Sequence, residues 1–349
     1  MKSGILAIFF WLLTYTTTAQ DNRKVTRAGW QVLQQELVVR DPPFQQCHAS
    51  TIVELSSGRL MAAWFGGARE GAKDVCIWSA TYYNGAWTAP LIIADGIIHD
   101  SLRYPCWNPV LFKPRNGPLL LFYKVGPSPQ RWWGMMRSST DEGKTWSNPV
   151  RLPEGILGPI KNKPYQLKEG TILAGSSQET RTKWSAHIER SGDNGITWQR
   201  TEIDTAGFDI IQPSILDYGH GKLQILCRSK QGAVVQAWSG DNGKTWGTCS
   251  KTDLLNPNSG TDAVTLKSGR QLIVYNPDLP GKEWYNGRAR LHVAVSDDGS
   301  HWKDVLTLEN GRKEEFSYPA VIQTRDGKVH IIYTYDRRNI KHLILSEKK

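Results

Sequence analysis

Six short apolar stretches of the chain each open with a polar residue of a type that can bind a ligand or react with it. The six openings are His48, Asn108, Lys163, Gln212, Thr261–Asp262 and Tyr318. An imidazole and a phenol can transfer protons, while amide, ammonium and carboxylate groups hydrogen-bond polar ligands. Small or apolar residues would suffice if these positions only packed. The set therefore predicts a polar binding or catalytic site, provided that the fold brings the six openings together.

The elements that must position these residues are marked by a repeated octapeptide, Ser-x-Asp-x-Gly-x-Thr-Trp. It begins at Ser139, Ser191 and Ser239, and a shortened copy begins at Ser296, so that the starts are 52, 48 and 57 residues apart. Asp and Ser side chains bond nearby backbone amides and Gly permits a positive φ, so the motif predicts a compact turn between antiparallel strands. The Trp at its end can pack its ring against the sheet. This recurrence indicates one supersecondary unit per repeat, with the aspartates as scaffold.

Each polar opening begins a hairpin whose turn contains a glycine, a residue suited to tight hairpin turns. The turn glycines are Gly58, Gly117, Gly170, Gly221, Gly269 and Gly327. The octapeptide or a remnant of it follows each of the first five hairpins. Two hairpins make a four-stranded blade, so the sequence predicts an all-β fold, a six-bladed β-propeller. The stretch Trp30–Arg40 is expected to supply the missing strand of the last blade, which would close the ring and remove exposed sheet edges. The innermost strands would then direct the six openings towards one funnel.

Residues 1–19 differ from the rest of the chain. Lys2 precedes the apolar run Ile5–Leu13, and short side chains lead up to Ala19. This pattern is typical of a cleaved secretory signal peptide, and the run is too short to span a bilayer. We therefore expect a mature propeller of residues 20–349 that is secreted or periplasmic and has no membrane partner.

Composition narrows the possible partners. The 349 residues carry a formal net charge of +10, which favours an anionic partner. Nucleic acid is a poor candidate because the basic residues are scattered and export is expected. The five cysteines are interpreted mainly as small buried hydrophobes, with a disulfide left open as an alternative. The eight histidines lack paired ligand spacing, so neither a metal nor another cofactor is predicted.

The octapeptide is the Asp box, or BNR repeat, and with the hairpin pattern it makes nearly the whole mature chain resemble the sialidase (neuraminidase) superfamily. The resemblance implies a glycosidase in which three arginines bind the substrate carboxylate, a glutamate ionises a tyrosine nucleophile, and an aspartate is the acid/base. The tyrosine would be Tyr318, which opens the last blade. Two of the arginines would be Arg228, at the end of the fourth hairpin, and Arg288, with Arg290 as an alternative to Arg288.

The loop after the first hairpin would supply the acid/base. Asp74 is its nearest match, and Arg69 and Glu70 share the loop. Two positions depart from the family pattern: His48 stands where the first arginine is expected, and Gln212 where the glutamate is expected. Glutamine cannot act as a base, but two guanidinium forks still suit a planar carboxylate. We interpret the departures as a changed substrate or mechanism.

The first of three hypotheses is an exo-acting glycoside hydrolase that removes a terminal anionic sugar, sialic-acid-like or otherwise carboxylated, from extracellular glycan. Tyr318 would be the nucleophile or charge stabiliser, Asp74 or Glu70 the acid/base, and Arg228 with Arg288 the carboxylate clamp. Further substrate-binding candidates are Arg69, Gln212, Asn108, Lys163 and Asp262.

Two alternatives remain open. A polysaccharide lyase acting on uronic acids would use His48 as base, Tyr318 as acid and Arg228 to neutralise the carboxylate. A non-catalytic sugar-binding propeller would instead stack tryptophan rings on pyranose faces, although packing between blades explains such rings equally well. The tryptophans concerned are Trp107, Trp132, Trp133 and Trp284.

Overall fold

The computed structural model describes residues 29–283 and 285–348. The predicted signal peptide, residues 1–19, and Trp284 lie outside the described residues. All regular elements of the described ranges are β-strands. In chain order they are β1 (Trp30–Leu37), β2 (Gln46–Glu54), β3 (Leu60–Gly67), β4 (Cys76–Tyr83), β5 (Ala86–Trp87), β6 (Leu91–Ala94), β7 (Ile97–His99), β8 (Leu102–Arg103), β9 (Cys106–Phe112), β10 (Leu119–Val125), β11 (Trp133–Ser139), β12 (Val150–Arg151), β13 (Tyr165–Gln166), β14 (Ile172–Glu179), β15 (Trp184–Ser191), β16 (Gln199–Glu202), β17 (Ile210–Asp217), β18 (Leu223–Ser229), β19 (Ala233–Ser239), β20 (Ser250–Leu255), β21 (Asp262–Thr265), β22 (Gln271–Tyr275), β23 (Arg290–Ser296), β24 (Lys303–Asn310), β25 (Phe316–Gln323), β26 (Val329–Tyr335) and β27 (Asn339–Glu347).

Six antiparallel sheets form the blades of a propeller, which confirms the predicted all-β, six-bladed fold. From the innermost strand outwards, blade 1 is β2-β3-β4-β5, with β6 also paired to β4, and blade 2 is β9-β10-β11-β12. Blades 3, 4 and 5 are β13 to β16, β17 to β20 and β21 to β24, and blade 6 is β25-β26-β27-β1. In each blade the innermost strand begins where the second strand ends, and we call this end of the ring the upper end.

The two ends of the described chain meet in blade 6. Strand β1 pairs antiparallel with β27, with Trp30 opposite Glu347 and Leu37 opposite Lys341. The junction is strengthened just beyond β1, where Asn339 Nδ2 donates to the Val39 carbonyl at 2.6 Å. The N-terminal strand therefore covers the edge of the last blade and closes the ring.

The hydrophobic core consists of six clusters, one between each pair of neighbouring blades. For example, Leu121 of blade 2 packs with Ala63 of blade 1, and Val293 of blade 5 packs with Ile331 of blade 6. The cluster between blades 6 and 1, which contains Trp64, completes the circle. Burial on both faces explains why the second strands read as continuous apolar runs.

The Asp boxes lie at the lower end of the ring, opposite the upper end, and form the predicted turns. In one copy Ser191 Oγ accepts from the Gly195 amide at 2.8 Å, and Asp193 accepts from the Thr197 amide at 2.8 Å and its hydroxyl at 2.6 Å. Their tryptophans are half-buried and pack against the core clusters between the blades, as the sequence predicted. The four rings are Trp146, Trp198, Trp246 and Trp302.

The predicted hairpin glycines all adopt positive φ, from 81° at Gly221 to 128° at Gly117. More unusual are four non-glycine residues at equivalent bulges of the innermost strands, because such residues rarely adopt positive φ. They are Ala49, Asn108, Gln212 and Tyr318, with φ of 55°, 37°, 58° and 53°. Strain of this kind costs about 1–3 kcal/mol per residue and clusters at functional sites. The bulges turn successive side chains of each opening towards the axis.

Candidate functional site

The hydroxyl of Tyr318 is the centre of a polar funnel at the upper end of the ring. Arg228 Nη1, from the end of β18, donates to this hydroxyl at 2.5 Å. Gln212 Nε2 makes a longer contact of 3.4 Å with the same oxygen. The sequence therefore identified three residues that the fold brings together, and an amide rather than a carboxylate stands beside the tyrosine.

His48 packs directly on the tyrosine. The two ring centroids are 4.0 Å apart, and His48 Nδ1 is hydrogen-bonded to Thr334 Oγ1 at 2.8 Å. Burial, followed by the positive charges of Arg337, Arg288 and Arg228, lowers the pKa of His48 well below its ordinary value. The imidazole is therefore neutral at physiological pH and contributes a polar edge, not a positive charge, to the funnel.

Arg288, rather than Arg290, belongs to the funnel. Arg288 is 4 % exposed, and its Nη2 donates to the backbone oxygen of Asn258 at 3.0 Å, the residue whose Oδ1 accepts from Arg228 Nε at 2.8 Å. Asn258 thus holds two guanidinium groups side by side. Arg290 instead forms an ion pair with Asp278.

A third guanidinium, which the sequence analysis missed, comes from the hairpin between β26 and β27. Arg337 Nε donates to Glu315 Oε2 at 2.7 Å, and Arg288 Nη1 donates to Glu315 Oε1 at 3.1 Å. Burial would raise the pKa of Glu315, but Arg337 and Arg288 outweigh it and the pKa is lowered. One ionised glutamate therefore holds two arginines apart, and Arg337 adds a third guanidinium group near the neutral His48.

Lys161 lies beneath the tyrosine, near the axis of the ring. Its ammonium is 5.9 Å from the Tyr318 ring centroid, and it donates to the Thr261 carbonyl at 2.7 Å and to the Pro319 carbonyl. Burial lowers its pKa to about 7. Because these acceptors belong to blades 5 and 6, Lys161 joins three blades directly below the funnel.

Two predicted substrate-binding residues are used internally, in contrast to our expectation. Lys163 Nζ is bound to Asp262 Oδ2 at 2.9 Å, and Asp262 is 1 % exposed. Asp262 also accepts from the Val321 amide and the Ser214 hydroxyl. Its oxygens therefore link blades 4, 5 and 6. Asn108 lies at the bulge of the innermost strand β9 of blade 2, equivalent to Gln212 and Tyr318 in their blades.

The two predicted acids of the loop between β3 and β4 both accept hydrogen bonds from the protein. Asp74 Oδ2 accepts from the Ala68 amide at 2.8 Å, which closes the loop on itself. Glu70 Oε2 is bound by Arg337 Nη1 at 2.5 Å. Arg69 is exposed on the same loop. Both carboxylates are thus engaged in positioning the loop.

Another carboxylate that the sequence analysis missed reaches the funnel from blade 3. Glu179 ends β14 and is directly opposite Trp184 on β15. The Trp184 ring centroid is 5.2 Å from the guanidinium carbon of Arg228 and 4.2 Å from Lys230 Nζ. Burial raises the pKa of Glu179, against the opposing effect of Arg228 and Lys230.

The predicted tryptophans and the cysteines pack within the protein. Trp107 is buried and its indole donates to the Gly126 carbonyl at 2.9 Å, while Trp133 packs beneath Arg151. Trp132 is half-buried against Trp107. The five cysteines are buried and unpaired. In residues 29–283 and 285–348, no three His, Cys, Asp or Glu side chains form a group suited to a metal ion, and no helix is long and apolar enough to cross a membrane.

A closed ring of six blades with Asp-box turns and an arginine-lined funnel defines a propeller of the sialidase superfamily. The chain belongs to the BNR repeat-like domain family, whose model matches residues 58–331.

Individual relatives are distant. A sialidase from Bacteroides fragilis is 23 % identical over 200 residues, which are 48 % of this chain and 36 % of that protein. The chain thus spans about a third of that sialidase. A crystal structure of a protein of unknown function from Dyadobacter fermentans superimposes with a TM-score of 0.75 at 18 % identity, covering 92 % of this chain and all of the other. The NanB sialidase of Streptococcus pneumoniae gives a TM-score of 0.69 at 11 % identity, covering 89 % and 70 % of the two chains.

Proposed function

We propose that the protein is an exo-acting glycoside hydrolase that removes a terminal carboxylated sugar, of the sialic acid kind, from extracellular glycans. The observation that carries the proposal is the convergence of Arg228, Arg288 and Arg337 near Tyr318. Arg228 donates to the Tyr318 hydroxyl, Asn258 joins Arg228 to Arg288, and Glu315 joins Arg288 to Arg337. Guanidinium groups bind carboxylates through paired, charge-assisted hydrogen bonds. A funnel with three of them is suited to an anionic sugar and disfavours a neutral one.

The arrangement also supports a division of roles. Arg228, Arg288 and Arg337 bind the carboxylate, and His48 and Gln212 offer polar contacts to the sugar ring. Tyr318 acts at the anomeric carbon in this proposal, as nucleophile or as stabiliser of positive charge, and sialidases are the glycosidases that use a tyrosine in this way.

The uronate lyase is the second candidate because His48 and Tyr318 are in contact. A lyase needs a base that takes the proton next to the carboxylate. The lowered pKa of His48 makes its imidazole a weak base, which favours the hydrolase.

Incubation of the purified protein with sialylated, uronate-containing and neutral glycans tests the proposal. We expect release of a free acidic sugar from a sialylated or other terminally carboxylated glycan. An ultraviolet-absorbing unsaturated uronate would instead identify a lyase. Binding to glycans without any product would leave a lectin-like propeller and refute the hydrolase.

His48→Gln distinguishes the two reactions in the same assay. A lyase that uses His48 as its base should lose nearly all activity, whereas a hydrolase that uses it for binding should retain much of it.

Residues 1–19 are proposed to direct export and to be removed. N-terminal sequencing of the exported protein should begin at or near Gln20, and an intact Met1 on a cytoplasmic product would contradict export.

A further inference from the structure

We propose that Glu179 is the general acid/base that protonates the departing glycosidic oxygen, in place of Asp74 or Glu70. The inference rests on the proposed hydrolase function and adds the residue that moves the proton. It starts from the upper end of blade 3, where Glu179 is the last residue of β14.

The register of the sheet directs the Glu179 side chain towards the funnel. Strand β14 pairs with β15 without a register shift from Ile172 to Glu179, so Glu179 lies on the same face as Ser177. Ser177 Oγ accepts from the backbone N–H of Gln212 at 3.4 Å. Since Gln212 belongs to blade 4, this face of β14 is the one turned towards blade 4. Glu179 is one pleat nearer the mouth of the funnel than this contact.

A second set of contacts connects Glu179 to the reacting tyrosine. Trp184 is directly opposite Glu179, and directly opposed residues project on the same face. The Trp184 ring lies 5.2 Å from the Arg228 guanidinium, and Arg228 donates to the Tyr318 hydroxyl. Glu179, Arg228 and Tyr318 therefore line one side of the same funnel.

The other carboxylates near the funnel have hydrogen-bond partners in the protein. Glu315 accepts from Arg337, Arg288 and Ser317, Glu70 from Arg337, and Asp74 from the loop backbone. Within residues 29–283 and 285–348, by contrast, the side-chain carboxylate of Glu179 has no hydrogen-bond partner within 3.5 Å and no ion-pair partner within 4.0 Å. A general acid needs this freedom, because it must reach the substrate oxygen.

The surroundings also favour a protonated carboxyl. The charged groups facing Glu179 are Arg228 and Lys230 of blade 4 and Glu70 of blade 1, and burial outweighs the two cations so that its pKa is raised. Burial therefore shifts this carboxyl towards the protonated form, which is the form that can donate a proton.

The proton transfer balances as hydrolysis. Glu179 gives its proton to the glycosidic oxygen while the bond from that oxygen to the anomeric carbon breaks, and the electron pair leaves with the alcohol. A water oxygen then bonds to the anomeric carbon, and a proton of that water returns to the Glu179 carboxylate. The acid is regenerated and no other reactant is consumed.

The leaving group provides the decisive test. Glu179→Gln should lower kcat/KM about 10²- to 10⁴-fold for an alkyl or sugar glycoside, whose departing oxygen needs a proton. The loss should be less than about 10-fold for a nitrophenyl glycoside of the same sugar, whose departing oxygen needs none. Glu179→Asp should recover part of the activity. The fall of wild-type kcat/KM on the alkaline side should disappear in Glu179→Gln, because the group that must stay protonated is gone.

The control is Glu169→Gln, an exposed glutamate of the same blade at the opposite end of the ring, which should behave like the wild type. Thermal unfolding should show that Glu179→Gln is at least as stable as the parent, since the replaced carboxyl has no hydrogen-bond or ion-pair partner to lose in the described part of the chain. A Glu179→Gln enzyme that keeps full activity on both glycosides, while the wild type is active, would overturn the role of Glu179 and leave the hydrolase intact. An equal loss on both glycosides would overturn the leaving-group assignment. A wild type that hydrolyses neither glycoside would overturn the hydrolase and this role together.

Discussion

Replacing Tyr318 with phenylalanine removes one oxygen from the centre of the funnel and leaves the ring in place. The ring keeps its packing on His48, at 4.0 Å between centroids, and its position above Lys161. The lost hydroxyl is the acceptor of Arg228 Nη1 at 2.5 Å. A hydrogen bond to a charged group is worth about 1.5–3 kcal/mol, which corresponds to about 10- to 100-fold in an equilibrium constant or rate.

The assay can separate an ordering role from a chemical one. If the hydroxyl only orders Arg228, Tyr318→Phe should weaken substrate binding by that factor and leave kcat little changed. If the hydroxyl reacts or stabilises charge, kcat should fall about 10²-fold or more while KM changes little. We expect the second result, measured by steady-state kinetics on a carboxylated glycoside and compared with Tyr83→Phe, an exposed tyrosine at the lower end of blade 1. Parental kcat and KM in Tyr318→Phe would refute the assignment of the site.

Three further predictions test the binding groups, the scaffold and the buried histidines. Arg228→Lys should weaken binding of a carboxylated sugar about 10-fold or more by calorimetry, because one ammonium cannot reproduce the paired fork; Arg290→Lys is its control, and equal affinities of the two variants would contradict the clamp. Asp193→Ala should lower the free energy of unfolding by about 1–2 kcal/mol through the lost turn hydrogen bonds without changing kcat, so a large activity loss in a folded variant would argue against a scaffold role. Burial and the neighbouring His342 lower the pKa of His330 from 6.5 to about 3 in the folded protein. Between these two pH values, the imidazole of His330 is therefore protonated in the unfolded state and neutral in the folded state. The stabilising contribution is full above pH 6.5 and is lost as the pH falls towards 3, because stability rises with pH wherever the unfolded state binds more protons. The melting temperature of His330→Asn should therefore depend less on pH in this range, and identical slopes would count against the effect.

The fold was predictable because its signals are local. An Asp box encodes its own turn through Ser191, Asp193 and Gly195, three residues within a five-residue span. The hairpin glycines act in the same way, since a positive φ at Gly221 or Gly117 depends on the turn alone. Repetition of these units implied the number of blades, and the ring followed from the requirement that sheet edges be covered.

The innermost strands were only partly predictable. In blades 2, 4 and 6 the x-Pro pair identifies the bulged residue, as at Asn108, Gln212 and Tyr318. In blade 3 the same pattern points to Lys163, but the positive φ of 72° and the buried cation belong to Lys161. The reason is that the innermost strand β13 has only two residues, so the chain before it follows no strand register.

The residues that were missed come from the tops of the second strands and the hairpins that follow them. Arg337 lies in the β26–β27 hairpin and Glu179 ends β14, and neither carries a local motif. Arg288 was identified through the resemblance to the sialidase superfamily, eight residues before the Asp-box residue Ser296. A signal was nevertheless present: like Arg228, which is next to the last residue of β18, Glu179 is a charged residue at the upper end of a second strand.

The two departures from the sialidase pattern can now be considered together as a redistribution of charge. Gln212 stands where the family has a glutamate, so the negative charge beside Tyr318 is missing. His48 of blade 1 stands where the family has an arginine, and Arg337 of blade 6 supplies a positive charge that the neutral His48 does not. Near the tyrosine, Arg288 and Arg337 share Glu315 as a carboxylate partner, and Arg337 also pairs with Glu70. Arg228 binds Asn258 and the tyrosine hydroxyl instead. The three cations therefore outnumber these two carboxylates, and an anionic sugar can neutralise the excess. The same change leaves the tyrosine without an adjacent carboxylate in the described part of the chain. Any proton transfer must therefore involve a group farther from Tyr318, and the position of Glu179 across Arg228 meets this requirement.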